Sequence, residues 1–300
     1  MLLRTMPRFT TCGFFSLLFT FCIVRSNLAQ EYSFTTIDVP GATATLANAI
    51  TPEGDIVGYY LDSGNPPNSH GFLLSKGKFT PINVPGAAST YATGINQDGD
   101  IIGHYLDTNS TFHGFLLSKN EFIPIDAPGA AYTFINGINL KGDIVGEYQD
   151  SHFPFNTHGF LLSEGEFTTI DILGATSTYA TGISPEGDII GQYQDNSTAL
   201  NTHGFLLSKG AFTSIDFPQA GFTAARGINP LGDIVGNMKD AEGNLPGFLL
   251  SKGKFTSIRV PGALLQGIVG TIAMGVNPRG EIVGYYEDRE RNVHGFLRRE

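Results

Sequence analysis

His113-Gly114-Phe115-Leu116-Leu117 is one of six near-copies of a single phrase. The others begin at His70, His158, His203, Pro246 and His294, so the copies are spaced by 43, 45, 45, 43 and 48 residues. That period is the length of one four-stranded propeller blade. Working outward from His113, Thr90-Tyr91-Ala92-Thr93-Gly94-Ile95-Asn96 and Gly99-Asp100-Ile101-Ile102-Gly103 precede the phrase, and Phe122-Ile123-Pro124-Ile125-Asp126 follows it. These are four apolar runs of strand length, separated by Gly, Asn, Asp and Pro. No stretch sustains a helical period.

The boundaries have their own chemistry. Asn96, Asn139, Asn229 and Asn277 each open an Asn-x-x-Gly-Asp/Glu linker, and Asn and Gly tolerate the positive φ that a tight hairpin turn requires. Ser75-Lys76-Gly77-Lys78 and its equivalents form a second turn of this kind, and Val84-Pro85-Gly86-Ala87 and its relatives connect blades. Phe72, Phe115, Phe160, Phe205, Phe248 and Phe296 hold one position in all six units, followed by Leu. A strand apolar on both faces needs cover on both, as a blade between two neighbours has. Each buried Phe or Leu contributes roughly 1.5–3 kcal/mol.

Counting strands decides how the array ends. The Phe-x-x-Ile strand first occurs at Phe34-Thr35-Thr36-Ile37 and last at Phe255-Thr256-Ser257-Ile258, whereas the chain stops just after His294-Gly295-Phe296-Leu297. The expected fold is all-β, a six-bladed β-propeller of four-stranded blades over residues 30–300. It is closed by pairing the N-terminal strand with the last blade, which removes the exposed edges. The small-residue strand (Ala92-Thr93-Gly94) is expected innermost, where blades converge.

The first residues differ. Arg4 and Arg8 precede an apolar run from Phe9 to Val24, and Asn27-Leu28-Ala29 offers a cleavage site, so residues 1–29 read as a secretory signal and the protein as secreted or periplasmic. An uncleaved anchor is the minor reading, since Arg25 lies close to the cut. Both cysteines, Cys12 and Cys22, lie inside this segment, so the mature chain would have neither disulfides nor thiolate chemistry. Cleavage would take the formal charge from −10 to −13. So acidic a surface disfavours nucleic-acid and anionic-membrane partners. A monomer without cofactors is expected.

Gly-Ile-Asn, Gly-Asp-Ile-Val-Gly, His-Gly-Phe-Leu and Phe-Thr-x-Ile-Asp together resemble the HAF-repeat family of secreted bacterial proteins, over residues 32 to 300. Glycine stands where that family has the alanine of its His-Ala-Phe core. The resemblance implies an extracellular, propeller-like protein and carries no catalytic residues with it.

Conspicuous residues divide into those that keep the repeat and those that break it. The five histidines sit at equivalent points of different blades, too far apart to share an ion at about 2 Å, and Pro246 fills the role without an imidazole. A strand-start hydrogen bond or rim packing fits them better. Asp62, Asp107, Asp150, Asp195, Asp240 and Asp288 also recur once per blade. They read as Asx-type loop ligands, with a calcium or cation site as the functional alternative. The repeat-breakers are Asn48, Thr93, Asn136, Thr181, Arg226 and Met274 before the Gly-Ile-Asn glycine, and Tyr59, His104, Glu147, Gln192, Asn237 and Tyr285 after the Gly-Asp-Ile-Val-Gly run. Such positions would line the central channel or a mouth of it. Arg226, Asn48, Asn136, Tyr59 and Tyr285 are the ligand-binding candidates, with a solvated or Asp-paired Arg226 as the plainer alternative.

No nucleophile elbow, zinc-protease helix, phosphate loop or dinucleotide fingerprint occurs. The leading expectation is therefore a non-enzymatic scaffold that binds a glycan, peptide or surface partner through the loops on one face. The alternatives are a polysaccharide lyase or hydrolase at the channel mouth, with His104 and Glu147 as its acid/base pair, and a structural coat or matrix protein. The enzyme reading requires His104 and Glu147 to share one cavity.

Overall fold

The strands expected from the repeat appear in sequence order in the computed structural model, which describes residues 32–300 except 152–155, 196–201 and 268. Residues 1–29, read above as a secretory signal and holding Cys12 and Cys22, lie outside the described residues, as do His152 and residues 196–198. Every regular element among those described is a β-strand. β1 (Ser33–Ile37) comes first. The first blade then comprises β2 (Ala44–Ile50), β3 (Ile56–Leu61), β4 (Ser69–Ser75) and β5 (Lys78–Ile82). The second holds β6 (Ser89–Ile95), β7 (Ile101–Leu106), β8 (Phe112–Ser118) and β9 (Glu121–Ile125). The third holds β10 (Ala130–Ile138), β11 (Ile144–Asp150), β12 (Thr157–Ser163) and β13 (Glu166–Ile170). The fourth holds β14 (Ala175–Ile183), β15 (Ile189–Asp195), β16 (Thr202–Ser208) and β17 (Ala211–Ile215). The fifth holds β18 (Phe222–Ile228), β19 (Ile234–Lys239), β20 (Gly247–Ser251) and β21 (Lys254–Ile258). The sixth has β22 (Thr271–Val276), β23 (Ile282–Glu287) and β24 (Val293–Arg299), and β1 is its fourth strand.

Closure follows the strand count. β1 pairs antiparallel with β24 from Ser33↔Arg299 to Ile37↔Gly295, so chain start and chain end complete one blade. The second tight turn uses left-handed backbone at both central residues, with φ of 49° at Lys76 and 77° at Gly77, the geometry that matches strand twist in a two-residue hairpin.

The core is one interface repeated around the ring. Six apolar clusters each join the middle strand of one blade to the Phe of the next. Val57 meets Ala92 and Phe115, Ile102 meets Ile135 and Phe160, and Val145 meets Ala180 and Phe205. Ile190 then meets Ala225 and Phe248, Val235 meets Ala273 and Phe296, and Val283 of the last blade meets Ile37, Ala47 and Phe72 of the closing strand and first blade. All six phenylalanines are buried, each lying opposite a middle-strand glycine such as Gly103↔Phe115. The sequence explains this directly, because the Ile/Val pair of each middle strand faces both neighbours and cannot alternate with polar residues.

Candidate functional site

Each innermost strand carries a β-bulge at the same place. The register with the middle strand shifts between Ala47 and Ala49, Ala92 and Gly94, Ile135 and Gly137, Ala180 and Gly182, Ala225 and Gly227, and Ala273 and Gly275. The unpaired residues are Asn48, Thr93, Asn136, Thr181, Arg226 and Met274, the variable set. A bulge re-aims its extra side chain, and all six line one central cavity of ≈ 590 Å³.

Four of these side chains also tie neighbouring blades together. Asn48 Nδ2 donates to Ala92 O at 2.8 Å, Thr93 Oγ1 to Ile135 O at 2.7 Å, Asn136 Nδ2 to Ala180 O at 3.0 Å and Thr181 Oγ1 to Ala225 O at 2.9 Å. Each acceptor is the residue just before the next blade's bulge. Arg226 departs from this ring and turns its Nε to Asn237 Oδ1 at 3.2 Å, while Met274 has no N–H or O–H to donate. Inter-blade tethering accounts for Asn48 and Asn136, and it leaves Arg226 without a scaffold role of this kind.

All of the second variable set except Asn237, which is buried beside Arg226, enter the same space from the middle strands. Tyr59, His104, Glu147, Gln192 and Tyr285 line the cavity, so every ligand-binding and acid/base candidate named from the sequence meets there. The wall is uneven. Around the first three blades it is aromatic: Tyr91 packs 5.0 Å from both Tyr59 and His104, and Phe134 lies 5.1 Å from His104 and 4.9 Å from Phe112. Glu147 accepts a hydrogen bond from Asn136 Nδ2. Arg226 is not paired with an aspartate, one of the two plainer readings of the sequence. It is half-buried on the cavity wall, and no carboxylate among the described residues lies within salt-bridge distance. A further cleft of ≈ 340 Å³ shares Phe112, Phe134, Glu147 and Tyr179 with the cavity.

Burial sets the protonation states. It pushes the His104 imidazole down to about 4, against a hydrogen bond to the Ile135 backbone, so the ring is neutral at physiological pH. It pushes Glu147 up to about 7, partly offset by the Asn136 hydrogen bond and the Arg226 charge. Tyr59 is raised by burial and by Tyr285 and Tyr91, Tyr285 is raised by burial against the pull of Arg226, and Arg226 is lowered by burial. Two buried acceptors in the cavity, His104 Nδ1 and Gln192 Oε1, have no hydrogen-bond partner among the described residues.

Tyr91, Phe134 and Tyr179 went unremarked in the sequence, although they mark a repeat-breaking position: the equivalents elsewhere are Leu46, Ala224 and Ile272. They lie directly opposite His104, Glu147 and Gln192 in register.

The conserved-looking His and Asp series lies apart from this cavity and builds a clamp on each blade. Asp62 Oδ1 accepts from the Gly64 and Asn68 amides, and Asp107 Oδ1 accepts from those of Asn109 and Thr111, the expected Asx turns. Asp240 and Asp288 do likewise with Asn244 and Asn292. The histidine Nε2 stands 3.1–3.7 Å from the other oxygen of Asp62, Asp107, Asp150, Asp195 or Asp288. Its Nδ1 meets Asn83, Asp126, Asp171, Asp216 or Asp38 at 2.8–3.0 Å, and its ring lies 5.2–5.4 Å from the blade's tyrosine. In the fifth blade, where Pro246 replaces histidine, Arg259 replaces the second aspartate and reaches Asp240 directly at 3.0 Å. These aspartates are engaged one per blade, and among the described residues no three of His, Cys, Asp and Glu gather as a metal site.

The clamp has a pH signature. Partial burial pushes His294 down, but Asp38 and Asp288 more than offset it and leave the imidazole raised. Asp288 falls to about 2, its burial outweighed by His294 and Asn292. The histidine's contribution is therefore complete below its unfolded value of about 6.5 and is lost as pH rises through the higher folded value. The aspartate's is present above about 4 and is lost as pH falls towards 2. A His294→Gln variant should melt below the parent at pH 5–6, with the gap narrowing by pH 8. A gap that stays constant across that range in thermal melts would refute the linkage.

No protein-family model and no curated protein matches the chain. Its backbone resembles solved structures at low identity. AofleA from Arthrobotrys oligospora has a TM-score of 0.56 at 12% identity, covering 89% of this chain and 86% of that one. The Aleuria aurantia lectin, a six-bladed β-propeller described with a fucose recognition mode, has a TM-score of 0.53 at 12% identity, covering 88% and 93%. The β-propeller domain of the Trilobed protease from Pyrococcus furiosus, with an open velcro topology, has a TM-score of 0.55 at 13% identity, covering 86% and 81%. At these identities the likeness establishes the architecture: this chain is a six-bladed β-propeller.

Proposed function

We propose that this protein is a binding propeller whose central cavity takes a glycan. The observation that carries this reading is convergence: the residues that break the repeat, which the scaffold does not fix, line one cavity with an aromatic side and a polar side. Such a cavity has the size and mixed lining of a small-ligand site. One of the structures resembling this chain is a fungal lectin in complex with Fucalpha1-6GlcNAc, which makes a glycan the first ligand class to test. The cavity replaces the loops of one face as the place to look.

The test is a glycan array with the parent protein and with Met274→Trp, which fills the cavity from a bulge position whose side chain makes no hydrogen bond. Binding by the parent and its loss in the folded variant are expected. Binding that survives the tryptophan would place the ligand elsewhere on the propeller.

A second reading is favoured by one observation: His104 and Glu147 do share the cavity, and a carboxyl near 7 is suited to proton transfer. Glu147 is the stronger of the two, since a histidine held near 4 is a weak base. Release of reducing ends from a polysaccharide panel, abolished by Glu147→Gln, would establish this reading. The likeness of the repeat phrases to the HAF-repeat family supports an exported bacterial protein cleaved after residue 29. N-terminal sequencing of protein recovered outside the cell should begin near residue 30.

A further inference from the structure

We propose that the ligand of the central cavity is an acidic oligosaccharide, whose carboxylate docks on Arg226 and whose chain continues past Phe134 into the adjoining cleft. This rests on the glycan-binding reading and specifies its chemistry.

Arg226 is the first support. Arg226 is half-buried on the cavity wall and partly desolvated there, yet none of the described carboxylates lies within salt-bridge distance, and Asn237 occupies only its Nε. The two terminal nitrogens keep the fork that suits a bidentate oxyanion. Asn237 holds the guanidinium by its Nε, on a blade where the bulge residue makes no inter-blade bond. Glu147 feels the arginine's charge from across the cavity without pairing with it.

The unmatched acceptors narrow the class. His104 Nδ1 is buried in a ring that burial keeps neutral and has no partner among the described residues, so it can accept from a hydroxyl when the proton sits on Nε2. Gln192 Oε1 is a second buried acceptor without a donor. Buried acceptors left unmet cost free energy. Sulfate or a simple dicarboxylate would satisfy Arg226 but bring no hydrogen to either atom. A sugar brings hydroxyls that donate, and His104, Gln192 and Arg226 stand on the second, fourth and fifth blades, a scatter that suits separate hydroxyls better than the regular N–H run of a peptide. The aromatic wall of Tyr91, Phe112 and Phe134 offers apolar surface for the C–H face of a pyranose.

Length comes from the second cleft. It shares Phe112, Phe134, Glu147 and Tyr179 with the main cavity, so the two adjoin along a common wall. A ligand anchored at Arg226 and lying along Phe134 enters it with its next ring. Glu147 stands on that shared wall and would repel a carboxylate when ionised, and its burial holds it protonated towards neutral pH. The cavity therefore carries net positive charge at lower pH, on a chain whose overall charge is −10.

The experiment is calorimetry with uronate and sialylated oligosaccharides drawn from an array of acidic and neutral glycans, each beside its methyl ester. Binding should be confined to the acids. Esterification should weaken it at least about 30-fold, and Arg226→Gln should weaken it by a similar factor while leaving the ester unaffected. The ester arm needs no variant, so misfolding of Arg226→Gln cannot obscure the result. Affinity for the acid should be up to about tenfold higher at pH 6 than at pH 8, with the dependence removed in Glu147→Gln. Neutral glycans binding as well as acids, indifferent to Arg226→Gln, would overturn the acidic specificity and leave glycan binding standing. No glycan binding at all, binding that survives Met274→Trp, or preference for an acidic peptide would overturn both.

Discussion

Deleting residues 32–38 should lower the melting temperature by about 10 °C or more and drive the protein into oligomers. β1 is the only strand of the last blade that comes from the start of the chain, and it supplies five register pairs with β24. Its loss strips Ile37 from the cluster that joins the last blade to the first and removes Phe34 from its position 6.0 Å from Phe296. It also removes the cation–π contact of Tyr32 with Arg298, at 3.5 Å, and the Asp38 side of the His294 clamp. Two apolar side chains at roughly 1.5–3 kcal/mol each, with hydrogen bonds at about 1 kcal/mol net, make a loss of at least about 5 kcal/mol. A large domain shifts by roughly 2–4 °C per kcal/mol. The exposed β24 edge then becomes a template for another chain. Calorimetry and size exclusion read both effects, and a synthetic peptide spanning residues 32–40 should restore the monomer. A truncated protein that melts like the parent and stays monomeric would show that closure does not depend on β1.

The sequence carried the blade count and the closure because both depend on residues that packing holds fixed. Phe115 and its equivalents must face a glycine, the Ile/Val pair must face two neighbours, and a surplus Phe34-Thr35-Thr36-Ile37 strand must go somewhere. The cavity lining was legible for the converse reason. Positions such as 48, 93, 136, 181, 226 and 274 vary because they face open space. The bulge that aims them was not legible, since nothing in Ala92-Thr93-Gly94 distinguishes a bulge from a regular pair. The aromatic wall was missed because Tyr91 and Phe134 fit ordinary strand alternation. Arg226 looked solvated or Asp-paired because its place on the cavity wall, beside Asn237, depends on a bulge that the sequence does not mark. The rim clamp was half visible: Pro246 and Arg259 depart from the repeat in the same blade, yet their pairing across strands emerges only in three dimensions.

Gly103→Ala should be among the most damaging single substitutions in the protein, costing about 3 kcal/mol or more. A methyl there would lie 1.9 Å from Tyr91 O and 2.9 Å from the Phe115 ring. The phenylalanine has no room to yield, because it is fully buried against Val57 and Ala92, and the carbonyl belongs to the paired backbone of β6. Relief therefore requires β6 and β7 to separate, which breaks the blade and moves His104 and Thr93, the residues those strands place in the cavity. The double variant Gly103→Ala/Phe115→Leu tests this division, because a smaller side chain relieves the ring contact and leaves the carbonyl clash untouched. Little recovery is expected. Gly77→Ala provides the scale: φ is 77° there and nothing lies within 4 Å, so the cost is left-handed strain alone, about 1–2 kcal/mol. Urea midpoints of the three variants against the parent decide the matter. If Gly103→Ala proves as mild as Gly77→Ala, close approach of the middle strand to the innermost one is not what demands glycine at this position in every blade.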